Sequence, residues 1–342
     1  MPSLFYIILC VILVLQLNKY FLKKKFLVNE SGEVHQKFTS KIKIPLTGGL
    51  LILVCLMVQF QYFQLSYVCV IFFIFLLGIL SDLKLVKSAK SRLIFQFLIV
   101  FVFSYYSELS INDTRVLFLD NLLDNQLINY FFISFCILII INGSNFFDGL
   151  NTLAVGYYLL ISLIIFLLNH NYEIVIKDLI LNELIFILII FYILNFFNKM
   201  FLGDSGSYLL GFIFSYILIE LYRVNPEISP FFIILLLWYP SFEILFSMIR
   251  KNIIKKSPMA PDTNHLHQLI FYFIKKKINN SVYHANLISA HFINFYNLVI
   301  FLISYQFLTN TAAQISLILL NSLIYTVIYL KLFYHKFKLK IL

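Results

Sequence analysis

Charged residues are scarce in this chain. They make up 12% of its 342 residues, whereas hydrophobic residues make up 61%. This balance excludes both an ordinary soluble domain and a disordered chain. Prolines are also few, at seven, so long apolar segments are rarely interrupted. The four cysteines all lie inside apolar segments and lack metal-binding spacing, so we expect neither a disulfide bond nor a cysteine-based zinc site.

Apolar segments recur along the chain at lengths approaching the roughly 20 residues that a membrane-spanning helix needs. Eleven are visible, near residues 3–18, 45–63, 66–80, 93–107, 127–141, 153–168, 179–197, 206–222, 230–249, 285–307 and 312–330. They are continuous rather than alternating, which favours helices over a barrel. The first segment lacks the basic start and the cleavage site of a secretory signal, so we count it as a span. We therefore predict an all-α polytopic membrane protein with 10–11 transmembrane helices, forming one integral membrane domain over residues 1–342.

Basic residues are distributed unevenly among the predicted loops. All but three of the 26 Lys and Arg residues belong to one alternating set of loops or to the C-terminal tail. Because basic loops stay in the cytoplasm, the N-terminus is predicted to be periplasmic and the C-terminus cytoplasmic. This bias explains the net charge of +10, so no nucleic-acid partner is expected. Anionic membrane lipids are the natural counter-charge.

Polar residues that are unusual in so apolar a chain gather in the cytoplasmic set of loops. These catalytic loops are predicted near residues 19–44, 81–92, 142–152, 198–206 and 250–284. They carry Asp82, Asp148, Asp204, Asp262, His265 and His267. Any single acid among them fits a helix cap. Four acids and two histidines at helix ends on one membrane face favour an active site instead.

The residue types in this cluster indicate phosphate chemistry. Carboxylate oxygens favour Mg²⁺, with Mn²⁺ as the alternative, and Mg²⁺ usually binds one or two carboxylates together with substrate phosphates. His265 and His267 are too closely spaced to share a helix face. They can act together in a loop, where an imidazolium donates to phosphate oxygens. A zinc site is the rival interpretation, although no cysteine is near.

Five segments occur in an order and approximate spacing that resemble the polyprenyl-phosphate N-acetylhexosamine-1-phosphate transferase family. This is glycosyltransferase family 4, which is related to the phospho-N-acetylmuramoyl-pentapeptide translocase. The segments are "GILSDLKLVKSAKSRLIFQ", "NGSNFFDGLN", "NKMFLGDSGSYLLGF", "YPSFEILFSMIRK" and "PDTNHLHQLI". The resemblance covers roughly residues 19–270. It implies a Mg²⁺-dependent enzyme of the bacterial inner (plasma) membrane.

The same resemblance implies the reaction. A sugar 1-phosphate, of N-acetylhexosamine type, passes from a UDP-sugar to undecaprenyl phosphate with release of UMP. Such a reaction initiates cell-envelope glycan, lipopolysaccharide or O-antigen synthesis. The identity of the sugar stays open, and a homodimer is compatible with the sequence. A polytopic transporter or flippase of lipid-linked saccharides is the alternative, because it shares this composition and topology; its polar residues are expected near the bilayer midplane.

Residue roles follow from the resemblance position by position. Asp204 matches the metal carboxylate, and Asp148 matches a second essential acid, which either activates the lipid phosphate or positions substrate. His265 and His267 match a loop that contacts phosphates. The substrate-binding matches are Asn142, Asn145, Asn195, Phe201 and Lys37. Among these, Phe201 resembles an aromatic residue that stacks on uracil, and Asn195 an amide that hydrogen-bonds it. Core or lipid packing is the alternative for Phe201, and a topological anchor the alternative for Lys37.

One position departs from the family pattern. Where many members have two adjacent aspartates, this chain has Ser81 followed by Asp82. We hypothesise direct displacement at phosphorus with Asp82 and Asp148 near the attacking phosphate, and a covalent aspartyl intermediate through Asp148 is the alternative. Glu243 is an acid within a predicted span, and we expect it to support its helix, with Arg250 as its candidate partner.

Overall fold

The computed structural model describes residues 2–29, 43–169, 178–253, 262–278 and 281–337, together with residues 172, 255 and 257. Nearly all of these residues are helical, and the described residues contain no β-strand beyond an isolated bridge between Val28 and Pro45. The predicted all-α class is therefore confirmed.

Fourteen α-helices are present in the described part of the chain. They are α1 (Pro2–Lys24), α2 (Gly48–Leu56), α3 (Leu65–Asp82), α4 (Ala89–Tyr106), α5 (Leu117–Leu123), α6 (Gln126–Phe147), α7 (Leu153–Leu168), α8 (Asp178–Phe196), α9 (Gly203–Val224), α10 (Pro230–Leu236), α11 (Trp238–Ile253), α12 (Leu266–Ile278), α13 (Val282–Tyr305) and α14 (Thr311–Phe337). A 3₁₀ helix, Met57–Tyr62, extends α2. Each of the eleven predicted apolar segments coincides with one of these helices or with an adjoining pair.

Seven of the described helices are long and apolar enough to cross a membrane, namely α1, α3, α4, α6, α9, α13 and α14. An eighth span forms if α10 and α11 are counted together, although they meet at an angle of 73°. Three apolar helices are shorter, over residues 48–62, 153–168 and 181–196. The predicted ten or eleven spans are reached only if these shorter helices also cross.

The bend between α10 and α11 divides a segment that the sequence predicts to be continuous. Pro240 has no N–H group with which to bond the carbonyl of Leu236, four residues earlier. The hydroxyl of Tyr157 donates to that carbonyl at 2.8 Å instead. It also accepts from the N–H of Tyr239 at 3.3 Å. A side chain of α7 thus satisfies the backbone groups that the break would leave bare in lipid.

Helix α9 lies at the centre of the bundle and packs against α2, α3 and α6. It is buried from Ser205 to Tyr222 except at Tyr216. Glycine permits the closest of these contacts. A Cβ atom added to Gly78 of α3 would lie only 2.3 Å from the Cα atom of Ser205. Since α3 ends at Asp82, this contact holds that carboxylate beside the start of α9.

Several helix ends meet at one end of the molecule, which we call the cavity end. Here α3, α6 and α11 finish, and α4, α9 and α12 begin. The far end of the bundle, which we call the opposite end, contains residues 107–125, 225–229 and 306–310. Helix α12 lies within the segment "NHLHQLIFYFIKKK" and carries three lysines in its last turn.

Candidate functional site

A cavity of about 880 Å³ lies at the cavity end, within the range of small-molecule sites. Its walls come from the ends of α3, α4, α6, α9 and α11 and from the segment that follows α1. The cavity brings together most of the residues singled out from the sequence: Asp82, Asn142, Asn145, Asp148, Asn195, Phe201, Asp204, Asp262 and His265. Sites separated by more than a hundred residues in the chain thus share one enclosure.

Asp204 stands in the first turn of α9, with its carboxylate at the cavity. Asn145 donates to its Oδ1 atom at 2.6 Å. Its Oδ2 atom accepts from Arg92 at 3.1 Å and from the hydroxyl of Ser81. Arg92 also donates to the Ser81 hydroxyl at 2.6 Å. Ser81 stands where many family members have the first of two aspartates. Here it links the guanidinium of Arg92 to the carboxylate of Asp204, which is predicted to bind the metal.

Asp82 caps α9 from a neighbouring helix. Its Oδ1 atom accepts from the N–H of Asp204 at 2.8 Å, and its Oδ2 atom accepts from the N–H of Ser205 at 3.1 Å. These N–H groups have no partner within their own helix, and a negative charge there interacts favourably with the positive end of the helix dipole. Gly203 has a φ of +73°, and a Cβ atom on it would lie 2.9 Å from Asp82 Oδ2. The cap therefore requires glycine at this position.

Asp148 follows the last residue of α6 and lines the same cavity. None of the described residues hydrogen-bonds its carboxylate. Burial raises the pKa of Asp148 well above its ordinary value, and the nearby charges of Asp204 and Asp82 raise it further. The raised pKa suits Asp148 to accept a proton.

The two histidines occupy different positions. His265 lines the cavity, whereas His267 is fully buried behind it, where a Cβ atom on Gly149 would lie 2.5 Å from His267 Nε2. Neither ring nitrogen of His267 has a hydrogen-bond partner among the described residues. Burial lowers the pKa of His267 to about 3, so its ring is neutral at physiological pH. In this arrangement only His265 can meet a substrate phosphate.

Glu243 does not pair with Arg250, so that expectation is wrong. Arg250 instead donates to Asp262 at 2.5 Å. Glu243 accepts from Nδ1 of His265 at 2.9 Å. The sequence spacing of Glu243 and Arg250 fits one helix face, but the loop before α12 folds back and supplies each with a closer partner.

The other residues predicted to bind substrate differ in what their side chains contact. Asn142 donates to Gln96 at 2.7 Å. Asn195 uses its amide on the backbone, accepting from the N–H of Thr152 at 2.5 Å and donating to the carbonyl of Met200 at 2.9 Å. Phe201 lines the cavity and is half-buried, and its contact with uracil stays a prediction. Lys37 lies outside the described residues.

Among the cations that line the cavity, Arg92 and Lys251 are the least exposed, and neither was singled out from the sequence. Arg92 lies in the first turn of α4, ten residues after Asp82, and two consecutive helices joined by a short loop place such residues side by side. That spacing could have revealed it. Lys251 is 2% exposed, lines the cavity and lies 5.5 Å from the ring of Phe146. A lysine near the end of a basic helix looks like a topological anchor in the sequence, so no signal distinguished it.

A metal ion requires donor side chains that lie close together. Among the described residues, no three His, Cys, Asp or Glu side chains come close enough to form a complete protein site, which disfavours the zinc interpretation. Mg²⁺ needs only one or two carboxylates when substrate phosphates supply the remaining ligands. The Asp204 carboxylate and the Asp148 carboxylate without a described partner meet that requirement. The residues therefore fit a cation shared with a phosphate substrate.

Comparison with known proteins supports the resemblance stated from the motifs. Residues 64–222 match the family described as Glycosyl transferase family 4. A Bacillus subtilis (strain 168) protein named "Probable undecaprenyl-phosphate N-acetylglucosaminyl 1-phosphate transferase" is 32% identical over 206 residues, covering 59% of this chain and 56% of its own length. Both matches agree with the predicted family over the residues that they cover.

Shorter matches point the same way. A Thermotoga maritima undecaprenyl-phosphate alpha-N-acetylglucosaminyl 1-phosphate transferase is 37% identical over 71 residues, which cover 21% of this chain and 23% of that protein. The Escherichia coli (strain K12) protein of the same name is 36% identical over 73 residues, covering 21% of this chain and 20% of its own length. The chain thus aligns with about a fifth to just over half of the length of these relatives.

Proposed function

We propose that this member of glycosyl transferase family 4 transfers a sugar 1-phosphate from a UDP-sugar to undecaprenyl phosphate and releases UMP. The sugar is of N-acetylhexosamine type, as in the names of the relatives. The observation that carries the proposal is the cavity in which Asp82, Asp148 and Asp204 converge with Asn145 and His265. The product would begin a cell-envelope glycan such as O-antigen.

The position of the cavity suits two substrates of opposite solubility. A UDP-sugar arrives from water, while a polyprenyl chain stays in the bilayer, so their phosphates can meet only at the membrane surface. The cavity lies at the ends of apolar helices, where such a surface is expected. Applying the charge bias of the loops, we place the cavity end in the cytoplasm of a bacterial inner membrane and the N-terminus in the periplasm.

We assign the proposed Mg²⁺, or Mn²⁺, to the Asp204 carboxylate together with the diphosphate of the UDP-sugar. When bound, the cation would neutralise the charge that develops on the leaving UMP. Asn145 and Ser81 orient the Asp204 carboxylate through their hydrogen bonds. Asp82 holds the backbone on which Asp204 stands.

The remaining residues act on the phosphates themselves. Arg92 and His265 face the cavity as donors, and each can bind phosphate oxygens while the lipid phosphate approaches the sugar-linked phosphorus in line. Asp148 takes any proton that the lipid phosphate still carries, in keeping with its raised pKa. We favour direct displacement over a covalent aspartyl intermediate through Asp148. Single-turnover experiments that seek a phosphosugar–enzyme adduct distinguish the two routes.

The proposed activity is tested with purified protein, undecaprenyl phosphate and Mg²⁺. UMP release should depend on the lipid, and a panel of UDP-sugars that includes UDP-N-acetylglucosamine and UDP-N-acetylgalactosamine should identify the donor. Absence of UMP release with every donor contradicts the proposal. A transporter or flippase of lipid-linked saccharides should instead move its substrate without releasing a nucleotide. The cavity residues lie at helix ends rather than at mid-helix breaks, which favours the enzyme.

A further inference from the structure

Glu243 lies in the buried part of α11, and the proposed reaction gives it no task. It is 1% exposed. A buried carboxylate is costly unless hydrogen bonds compensate its charge, so an acid in such a place usually serves a purpose. Its two oxygens accept three hydrogen bonds from described residues. The surrounding structure is therefore built around this carboxylate.

The three donors come from two other helices and from the loop between α11 and α12. Oε1 of Glu243 accepts from Nδ1 of His265 at 2.9 Å and from the N–H of Leu266, the first residue of α12, at 3.3 Å. Oε2 accepts from the hydroxyl of Tyr325 in α14 at 2.9 Å. Glu243 thus joins α11, α12 and α14 directly behind the cavity wall.

The bond to Nδ1 decides what His265 can offer. An ionised carboxylate only accepts hydrogen bonds, so Nδ1 carries a proton and Nε2 is the nitrogen left for a ligand. None of the described residues bonds Nε2. The ring is also held by the edge of Phe146, at 5.2 Å between centroids, and by the parallel ring of His267 at 5.7 Å. His265 lines the cavity together with Asp148 and Asp204.

We propose that Glu243 is a positioning residue which, with Tyr325, fixes the ring orientation and the proton of His265, so that Nε2 meets a phosphate oxygen of the substrate. The inference rests on the proposed function, which supplies that phosphate. Glu243 acts only through His265 and touches no reacting atom. Tyr325 extends the arrangement to α14, well beyond the segment 64–222 that matches the family.

Helix α14 supplies a matched control. Tyr329 lies on the same face as Tyr325, and their rings are parallel with centroids 6.2 Å apart. Both residues are buried, at 2% and 3% exposure. The hydroxyl of Tyr329 has no hydrogen-bond partner among the described residues, whereas that of Tyr325 bonds Glu243. Changing either tyrosine to phenylalanine keeps the packing, and only one of the two changes removes a bond to Glu243.

The test is a kinetic double-mutant cycle in the full chain, measured by UMP release. Glu243→Gln and His265→Asn should each lower kcat by about 10- to 100-fold, the usual cost of losing a group that orients a functional histidine. The double variant should be no slower than the slower single variant, because both changes remove one function. Tyr325→Phe should cost about 2- to 10-fold, and nothing further in the Glu243→Gln background. Tyr329→Phe should match the unchanged protein.

Other outcomes overturn the inference. Losses that multiply in the double variant, or equal losses in Tyr325→Phe and Tyr329→Phe, indicate that Glu243 only supports the helices. The ¹⁵N chemical shifts of the histidine rings give a readout without activity: the His265 signal, identified by its loss in His265→Asn, should report a protonated Nδ1 that changes in Glu243→Gln. If the unchanged protein releases no UMP, the proposed function fails, and these shifts still decide the geometry. If Glu243→Gln does not fold, Tyr325→Phe retains the test.

Discussion

Two arginines, one at each end of the molecule, show how differently the two ends use polar groups. At the opposite end, the guanidinium of Arg115 donates five hydrogen bonds, to the carbonyls of residues 226, 227, 228 and 309 and to the hydroxyl of Thr311. All five acceptors are neutral. At the cavity end, Arg92 bonds Ser81 and the charged Asp204 through a single nitrogen.

The difference separates a structural role from a functional one. Arg115 connects three loops, and the five hydrogen bonds of its guanidinium all go to groups of the protein itself. Arg92 keeps guanidinium donors without a partner among the described residues, and its side chain is 28% exposed beside the cavity. The hydrogen bonds of Arg115 to neutral acceptors add stability. Arg92 is held by a carboxylate but still has N–H groups without a described partner, and these can bind an anion.

The largest effect is expected at Asp204. Asp204→Asn removes the charge proposed to hold the metal and should lower UMP release by at least about 10³-fold. Glu220→Gln is the control, because Glu220 lies on the same helix at the opposite end, paired with Arg223 at 2.9 Å. Its activity should stay within about threefold of the unchanged protein. Full activity in Asp204→Asn contradicts the assignment of the site.

A somewhat smaller effect is expected at Asp82. Asp82→Asn leaves one oxygen for the two N–H groups at the start of α9, so Asp204 loses its fixed position and kcat should fall by about 100-fold. Because Asp82 bonds amides rather than a substrate proton, the shape of the pH–rate profile should be unchanged. Loss of one limb of that profile identifies Asp82 as a proton acceptor and refutes the capping role.

Arg92→Gln should separate activity from stability. Charge-assisted hydrogen bonds contribute about 1.5–3 kcal/mol, so kcat/KM should fall by about 10- to 100-fold. The melting temperature should stay the same, because a half-exposed ion pair adds little to folding. A large drop in melting temperature with normal activity per folded molecule makes Arg92 a structural residue like Arg115.

Arg115→Gln should give the reverse pattern and the smallest effect on the reaction. Loss of the shared set of hydrogen bonds should lower the free energy of unfolding by about 1–3 kcal/mol. Thermal unfolding in detergent, followed by intrinsic fluorescence, measures the change. UMP release per folded molecule should remain within about twofold, since the substitution lies at the far end of the bundle. A selective loss of activity shows that the two ends are coupled.

The helices could be predicted from the sequence because lipid leaves the backbone no partner outside the helix, and continuous apolar segments follow from that constraint. The gathering of acids at one end was predictable from the uneven placement of lysine and arginine. The break before Trp238 was missed, although Pro240 in the middle of the apolar segment 230–249 is a signal for it, because proline cannot donate the backbone hydrogen bond of a continuous helix. The tyrosine that bridges the break lies on α7, far away in the chain.

Pairings between helices were beyond the reach of the sequence for the same reason. That Asp82 caps α9 depends on α3 and α9 being neighbours, and that Glu243 bonds His265 rather than Arg250 depends on the path of the loop before α12. Nor does the sequence indicate that His267 is buried while His265 lines the cavity, since alternate residues in a loop follow no fixed period. Asp82, Asp148 and Asp204 could be named as candidates from the sequence, but Arg92, Lys251 and the pairings between the helices required the structure.

The glycine contacts of α9 carry a consequence for anyone who screens variants of this protein. Gly78 is not among the residues that line the cavity, yet a methyl group there would press on Ser205 and hence on the turn that bears Asp204. A Gly78→Ala variant that is expressed and inserted into the membrane normally would have low turnover, and it would be mistaken for a change in a catalytic residue. A screen that measures turnover alone would assign Gly78 to the active site and so overestimate how far the site extends along α3.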